Sequence, residues 1–595
     1  MTKIRENKFF CYCAVIMLIA FSTSFAWADK WGDDDRLEGN CGRVKNIIIL
    51  IPDGCDASIQ TLTRWFAKYN YDYDLVLDKM LSGGMKTSMA NSVITGSAAA
   101  ASAFSGGNKT TVRYLSVGPR DDDLLDDFEP TVDPYVPFAT VLEANKQKGK
   151  SVGLVATSRI THATPAAYAS HIRDRGWDND IMEHLVYQDL DVVFGGGARH
   201  LIPNSISGGK RTDGENLKEV LIARGVNYVT DKAGLAGLPS TPAWGMFASS
   251  HMAADIDNEY FNWQQPTLAE MTAKAIELLS QNRKGFFLMV EGSQVDWAGH
   301  ANDPIYMIKE FLAFDKAVKE AVDFAEKDGN TLVVAFPDHN TGGLTIGNYI
   351  THFNRGYGYP TSDDPRAHYT DTTVEDLLSP LDGMKMTAAA MAGLIQDEIE
   401  AAGGCDDSCV EDKVKAGISA HWGIAITDEQ AKEIRLLKDV PTSSSYTMGL
   451  EYAMAEIVSR DHTLLGWTTH GHTGEDVPLW TYGKNRLIGL FDNTDIAKEI
   501  ACRSNCDLEK VSEKLFVPVS TVFPGAVTDD TDPENLMLKI GNAELYEGKD
   551  LLKIGDKTFN LEGIAVYAPN PEGMEIENWY IPEKAVMLIN RFADF

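Results

Sequence analysis

Four apolar, β-branched stretches each run straight into a polar cluster, and this repetition constrains the fold more than any other feature. They are residues 46–51 ahead of Asp53, 151–156 ahead of His162 and Thr164, 286–290 ahead of Glu291, and 331–336 ahead of Asp338 and His339. Such runs suit strands buried on both faces. They alternate with helical segments such as Leu268–Leu279 and 307–325. The chain is therefore read as α/β, with a central, mostly parallel sheet sandwiched by helices. In such sheets function gathers beyond the carboxyl ends of the strands, where all four polar clusters fall.

The interval from about 345 to 460 reads as an insertion over that face. It has an aromatic, Gly-rich stretch at 348–369 and helical sequence around 384–402 and 447–458. The sequence does not decide between a lid and a dimer contact. After about Leu508 the texture changes to short alternating strands at 536–540, 551–554, 557–560, 564–567 and 579–581, the pattern of a small β-rich C-terminal module.

Lys3, Arg5 and Lys8 precede an apolar run at 9–25 and Ala26-Trp27-Ala28, a cleavable secretory signal with cleavage expected after Ala28. The expected division is a signal over 1–28, a catalytic domain over 29–506 and the module over 507–595. Export implies a periplasmic or extracellular protein, and no later segment reads as a stable membrane anchor. The formal charge of −32 becomes more negative on cleavage, because three cations leave with one anion. Nucleic acid is excluded as a nonspecific partner, whereas a phosphorylated anion is accommodated where metals reverse the local field. The close pairs Cys405/Cys409 and Cys502/Cys506 are expected to form local disulfides. Cys41 and Cys55 flank the first strand, and their pairing stays open.

Glu291, Asp296 and His300 fall within ten residues, in what reads as a short loop after the third apolar run. Unpaired buried charges cost several kcal/mol, so a divalent cation is their natural neutraliser. Ser97 opens an Ala-rich helical segment directly after Gly96. A serine there can act as a cap, but a helix N-terminus also favours bound phosphate, and a neighbouring metal lowers a hydroxyl's pKa. Ser92, Ser102 and Ser105 compete on local sequence alone.

Asp53, residues 95–99 (Thr-Gly-Ser-Ala-Ala), His162-Ala-Thr164-Pro, Glu291 with Asp296 and His300, Asp338-His339 and His472-Thr-Gly-Glu-Asp occur in this order between Ile47 and Asp476. Together they resemble the alkaline phosphatases, and the insertion resembles the bacterial branch with large crown-like insertions. The resemblance implies hydrolysis of small phosphate monoesters by double in-line displacement, with Ser97 as nucleophile and a phosphoserine intermediate. It further implies two Zn2+ and one Mg2+. Asp296, His300 and His472 would hold one zinc and Asp338 with His339 the other. Asp53 would bridge to a magnesium completed by Thr164 and Glu291. Arg175 matches the phosphate-binding arginine, with Arg173 as its rival. A homodimer is expected from resemblance alone.

Two positions depart from the family pattern. Gly96 stands where an aspartate often holds the arginine, and His162 with Trp297 stands beside the third metal site, where they are expected to tune it rather than bind. His470 is expected to be exposed or to lie behind the ligands, and Glu475 and Asp476 to serve as a cap or at the surface. A sulfatase is disfavoured because no Cys-x-Pro-x-Arg or Ser-x-Pro-x-Arg segment occurs. A phosphodiesterase is disfavoured by Arg175, which suits the extra charge of a monoester. A catalytically idle metal- or phosphate-binding protein would leave Ser97 unexplained.

Overall fold

The computed structural model describes residues 41–120, 122–126, 128–348, 372–441, 447–568 and 578–594. The signal-like segment and most of the aromatic, Gly-rich stretch lie outside them. Residues 43–595 form one compact unit. Its centre is a ten-stranded sheet of β1 (Asn46–Pro52), β2 (Leu81–Lys86), β3 (Ser151–Arg159), β4 (Val192–Gly196), β5 (Asn227–Val229), β6 (Ala243–Ala248), β7 (Phe286–Gly292), β8 (Thr331–Ala335), β9 (Val477–Gly483) and β10 (Gly489–Asp492). The order is β10-β2-β9-β8-β1-β7-β3-β4-β6-β5.

Only β9 runs against the others. It begins four residues after Thr473, at the carboxyl edge of the sheet. A parallel entry would need a crossover of a dozen or more residues, so the chain enters in reverse.

The expected α/β sandwich is borne out, and β1 shows why its strands are apolar throughout. Ile48 and Leu50 join one buried cluster with Leu288, Val290 and residues of the helix Pro304–Asp328. Ile47, Ile49 and Ile51 join the opposite cluster with Phe287, Met289 and Ala98, Ala101 and Phe104 of the helix Ser97–Gly106. Both pleat faces are dry, so no polar alternation survives. Leu268–Leu279 is a helix with the expected bounds, started by a Thr267–Glu270 capping box. The helix predicted at 307–325 is longer because Asp303 caps it, Pro304 opens it and Gly329 ends it in the left-handed region.

The interval after β8 contains helices Val374–Leu378, Ala388–Ala401, Asp407–Trp422, Asp428–Leu437 and Gly449–His462. The third and fourth escaped the sequence reading because their buried faces are thin, reduced to Val414, Ile418 and Trp422, and to Ala431 and Ile434. Cys405 and Cys409 form the expected disulfide. The second expected local bridge is corrected: Cys502 is disulfide-bonded, but Cys506 is a free thiol. Asn505 ends the helix Asn493–Ser504 in the left-handed region, and the reversal turns the Cys506 thiol toward Ala144 O at 3.5 Å. Cys55 is a buried free thiol, while Cys41 is disulfide-bonded.

Beyond Leu515 lie a five-stranded antiparallel sheet and a three-stranded one, backed by the helix Glu583–Phe592 around their own apolar cluster. The five-stranded sheet includes Val527–Asp529 and Ala543–Tyr546, which were not anticipated. Among the described residues no helix is long and apolar enough to cross a membrane.

Leu50 is fully buried and paired with Val290 on one side and Ala335 on the other. Leu50→Ala is expected to cost about 2–5 kcal/mol, read as a lower urea midpoint with an unchanged slope. An unchanged midpoint would contradict this account of the core.

Candidate active site

Most of the candidate side chains stand at or just past a strand end or are brought there by pairing. After β1, Asp53 is followed by Gly54 with φ +71°. A Cβ on Gly54 would lie 2.6 Å from Asp296 Cα and 2.7 Å from Thr341 Oγ1, so only glycine lets these segments meet. Its N–H donates to Asp338 Oδ1 at 3.1 Å.

The run after β7, read as a loop, is the helix Gln294–Ala301. The short span and three small residues hid a helix that places Asp296 and His300 one turn apart on one face. His300 Nε2 lies 3.4 Å from Asp296 Oδ2. Glu291 stays in the strand, where its Oε2 accepts from Ser293 Oγ at 2.6 Å and Ser158 Oγ at 3.3 Å.

His472, far along the chain, reaches the site because His472–Thr473 pairs antiparallel with Asn340–Thr341. Its ring stacks on that of His339 with centroids 3.7 Å apart. Its Nδ1 donates to Thr95 O at 2.8 Å, leaving Nε2 3.6 Å from Asp296 Oδ1. His339 Nε2 lies 3.2 Å from Asp338 Oδ2, 3.7 Å from Asp53 Oδ1 and 3.4 Å from Ser97 Oγ.

Ser97 is the first residue of its helix and is buried beside these groups. Its rivals are engaged elsewhere: Ser102 Oγ donates to Ala98 O, Ser105 Oγ to Ala167 O, and Ser92 Oγ accepts from Ile94 N.

At this edge, three donor groups among the described residues have their atoms within 4.8 Å of one another: Asp296, His339 and His472; Asp53, Asp338 and His339; and Asp53, His162 and Glu291. Both Asp53 oxygens, Asp338 Oδ2, Glu291 Oε1, Thr164 Oγ1 and His162 Nδ1 are buried without hydrogen-bond partners. Buried polar atoms are normally satisfied, so six orphans converging on one place fit divalent cations. The donors match as well, imidazoles with carboxylates at one end and mainly oxygen at the other.

Burial, reinforced by Asp338, Asp296 and Glu291, holds Asp53 well above the usual carboxylate range. Burial likewise raises Glu291 to about 7 and lowers His339 to about 4. Without metal Asp53 and Glu291 therefore keep protons that metal binding would expel, while His339 is already neutral.

Arg175 Nη2 lies 2.9 Å from His162 Nε2. Guanidinium cannot accept, so the imidazole lone pair must point at the arginine. A metal on Nε2 would take that lone pair, and a metal on Nδ1 would put the ring proton on Nε2. Holding Arg175 and ligating a metal are thus alternatives for His162, and the imidazole bonds the guanidinium where Gly96 offers no side chain to do so. Trp297 stands edge-on to His162, with centroids 6.0 Å apart, and to His251 at 4.4 Å. Arg173 instead lies over the Trp177 ring at 5.4 Å.

Sequence reasoning missed several partners of these groups. Thr341 Oγ1 donates to Asp296 Oδ1 at 2.5 Å, and its spacing two residues after His339 was the available signal. Ser158 and His251, which contacts Arg159 Nη1 at 2.7 Å, carried none. Glu475 accepts from Asn340 Nδ2 at 2.7 Å and so braces the strand pairing that carries His472.

A doubly covered parallel sheet with a serine hydroxyl among orphaned carboxylates and imidazoles at its carboxyl edge defines a metal-dependent α/β hydrolase. Residues 44–505 match the alkaline phosphatase family model. The chain belongs to the alkaline phosphatase family and is an enzyme that hydrolyses phosphate monoesters. It is 35% identical to alkaline phosphatase 3 of Bacillus subtilis over 501 residues, covering 82% of this chain and 95% of that protein. The crystal structure of a cold-active alkaline phosphatase from Shewanella sp. matches with a TM-score of 0.59 at 27% identity, over 77% of this chain and 99% of that one. The Thermus thermophilus alkaline phosphatase shares the fold with a TM-score of 0.65 at 24% identity, over 80% and 95% of the two chains.

The pH dependence of the metal-free protein tests this electrostatic picture. Folded Glu291 keeps its proton to about pH 7 but unfolded Glu291 only to its ordinary value of 4.5. The unfolded state binds fewer protons in that window, so stability falls as pH rises through it. The chelator-treated protein is expected to lose melting temperature from about pH 5 to about pH 7.5, less steeply in Glu291→Gln. Equal slopes in the two proteins would contradict the assignment.

Proposed function

We propose that Ser97 is the nucleophile of a phosphomonoesterase working through a phosphoserine intermediate. The observation that carries this reading is the Ser97 hydroxyl at a helix N-terminus, 3.4 Å from His339 Nε2 and bordered by the orphaned donors. We assign Asp296, His300 and His472 to one Zn2+, Asp338 and His339 to a second, and Thr164 and Glu291 to one Mg2+, with Asp53 between the last two. Cations held by these residues would supply a lower pKa for the serine hydroxyl and positive charge to offset that on the phosphate oxygens.

Ser97 Oγ attacks phosphorus as the P–O bond to the alcohol breaks, and the alcohol leaves with a proton. Water then breaks the serine–phosphate bond, so two inversions give retention. Arg175, turning from His162 toward the substrate, donates a fork of hydrogen bonds to two phosphate oxygens. The helix N-terminus adds backbone N–H groups aimed at the same charge.

The same reading extends to the whole chain. Residues 29–506, with the insertion at about 345–460, form the catalytic domain, and 507–595 a β-rich C-terminal module packed on it. The signal-like N-terminus and the Cys405–Cys409 disulfide support an exported protein, periplasmic or extracellular.

Ser97→Ala is expected to lower kcat on p-nitrophenyl phosphate by about three orders of magnitude or more. Acid-quenched enzyme should carry phosphate on the Ser97 peptide. Turnover close to the original in Ser97→Ala would sink the mechanism. Arg175→Ala is expected to weaken inhibition by inorganic phosphate about tenfold or more, and an unchanged inhibition constant would return the role to another residue.

A further inference from the structure

His300 and His470 hold each other through reciprocal bonds. His300 Nδ1 donates to His470 O at 2.5 Å, and His470 Nδ1 donates to His300 O at 2.7 Å. A carbonyl only accepts, so the first bond fixes a proton on Nδ1 and makes Nε2, which faces Asp296, the nitrogen that gives up its proton to a cation. The acceptor is a backbone atom on the segment leading to His472, so its position depends on what anchors that segment.

The anchor comes from the inserted region. His470 Nε2 lies 3.1 Å from Glu456 Oε2, on the helix Gly449–His462. The same helix bonds the segment again through Ser459 Oγ, which accepts from Trp467 Nε1 at 2.7 Å. Tyr452 stands edge-on to the His470 ring, with centroids 5.9 Å apart.

We propose that Glu456 is a positioning residue that fixes His470 and, through it, the tautomer and ring orientation of His300 for metal binding. The insertion thus contributes directly to the metal centre. Partners behind a metal-bound histidine set its orientation, and removing one typically costs 10–100-fold in metal affinity. This inference rests on the assignment of His300 to a zinc.

The test is the rate at which zinc passes from the loaded enzyme to a chromogenic chelator. Glu456→Ala should release one zinc about tenfold faster, with the metal-free melting temperature unchanged. Glu456→Gln keeps an acceptor for His470 Nε2–H and should restore slow release. His470→Phe keeps a ring but loses both bonds, so it should match Glu456→Ala, with no further acceleration in the double variant. Glu433→Gln, which breaks the ion pair from the neighbouring helix Asp428–Leu437 to Arg460 of the same bracing helix, should release zinc at the original rate. Zinc loss within about twofold of the original in Glu456→Ala would overturn the proposal; if that variant does not fold, the same result in His470→Phe would do so. Full zinc content in His300→Ala would instead overturn the ligand assignment.

Discussion

The structure turns on the mutual repulsion of carboxylates buried together at the carboxyl edge of the central sheet. Asp53, Glu291, Asp296 and Asp338 are all buried, and Asp53 together with one oxygen each of Glu291 and Asp338 has no hydrogen-bond donor. Such a cluster is unfavourable unless cations or protons neutralise it. The sheet imposes the arrangement: β1, β7 and β8 are adjacent and parallel, so residues just past their ends cannot separate. What destabilises the metal-free protein is what gives the loaded one its affinity.

The chain beyond β8 completes the centre. A two-residue antiparallel pairing places His472 against His339, and the inserted helix Gly449–His462 braces the segment just before it. Gly54 permits the close approach of the first strand's end to the Asp296 helix. The helix Gly449–His462 is therefore coupled to the site through hydrogen bonds.

Much of this was legible in the sequence for a physical reason. A strand buried on both faces must be apolar along its length, so the break from Ile51 to Asp53, or from Phe336 to Asp338, marks where the sheet ends and chemistry begins. Helix propensity and caps made Leu268–Leu279 readable to the residue. Glu291, Asp296 and His300 stood out as candidate ligands on their own, but the rest of the candidate set was readable only through resemblance, because local sequence does not bring His472 to His339. The Asp296–His300 helix was taken for a loop because eight residues show too little periodicity. The links from His162 to Arg175 and from Glu456 to His470 had no sequence signal, since each depends on tertiary placement. The Cys502/Cys506 expectation failed because close spacing says nothing of a helix end that turns one thiol away.

Anomalous diffraction from crystals of the loaded enzyme, recorded on both sides of the zinc absorption edge, tests the central claim most directly. Two zinc peaks are expected, one beside Asp296 and His472 and one beside Asp338 and His339, with a lighter ion against Asp53 and Glu291. A centre without anomalous signal, its carboxylates satisfied by protons and water alone, would contradict it.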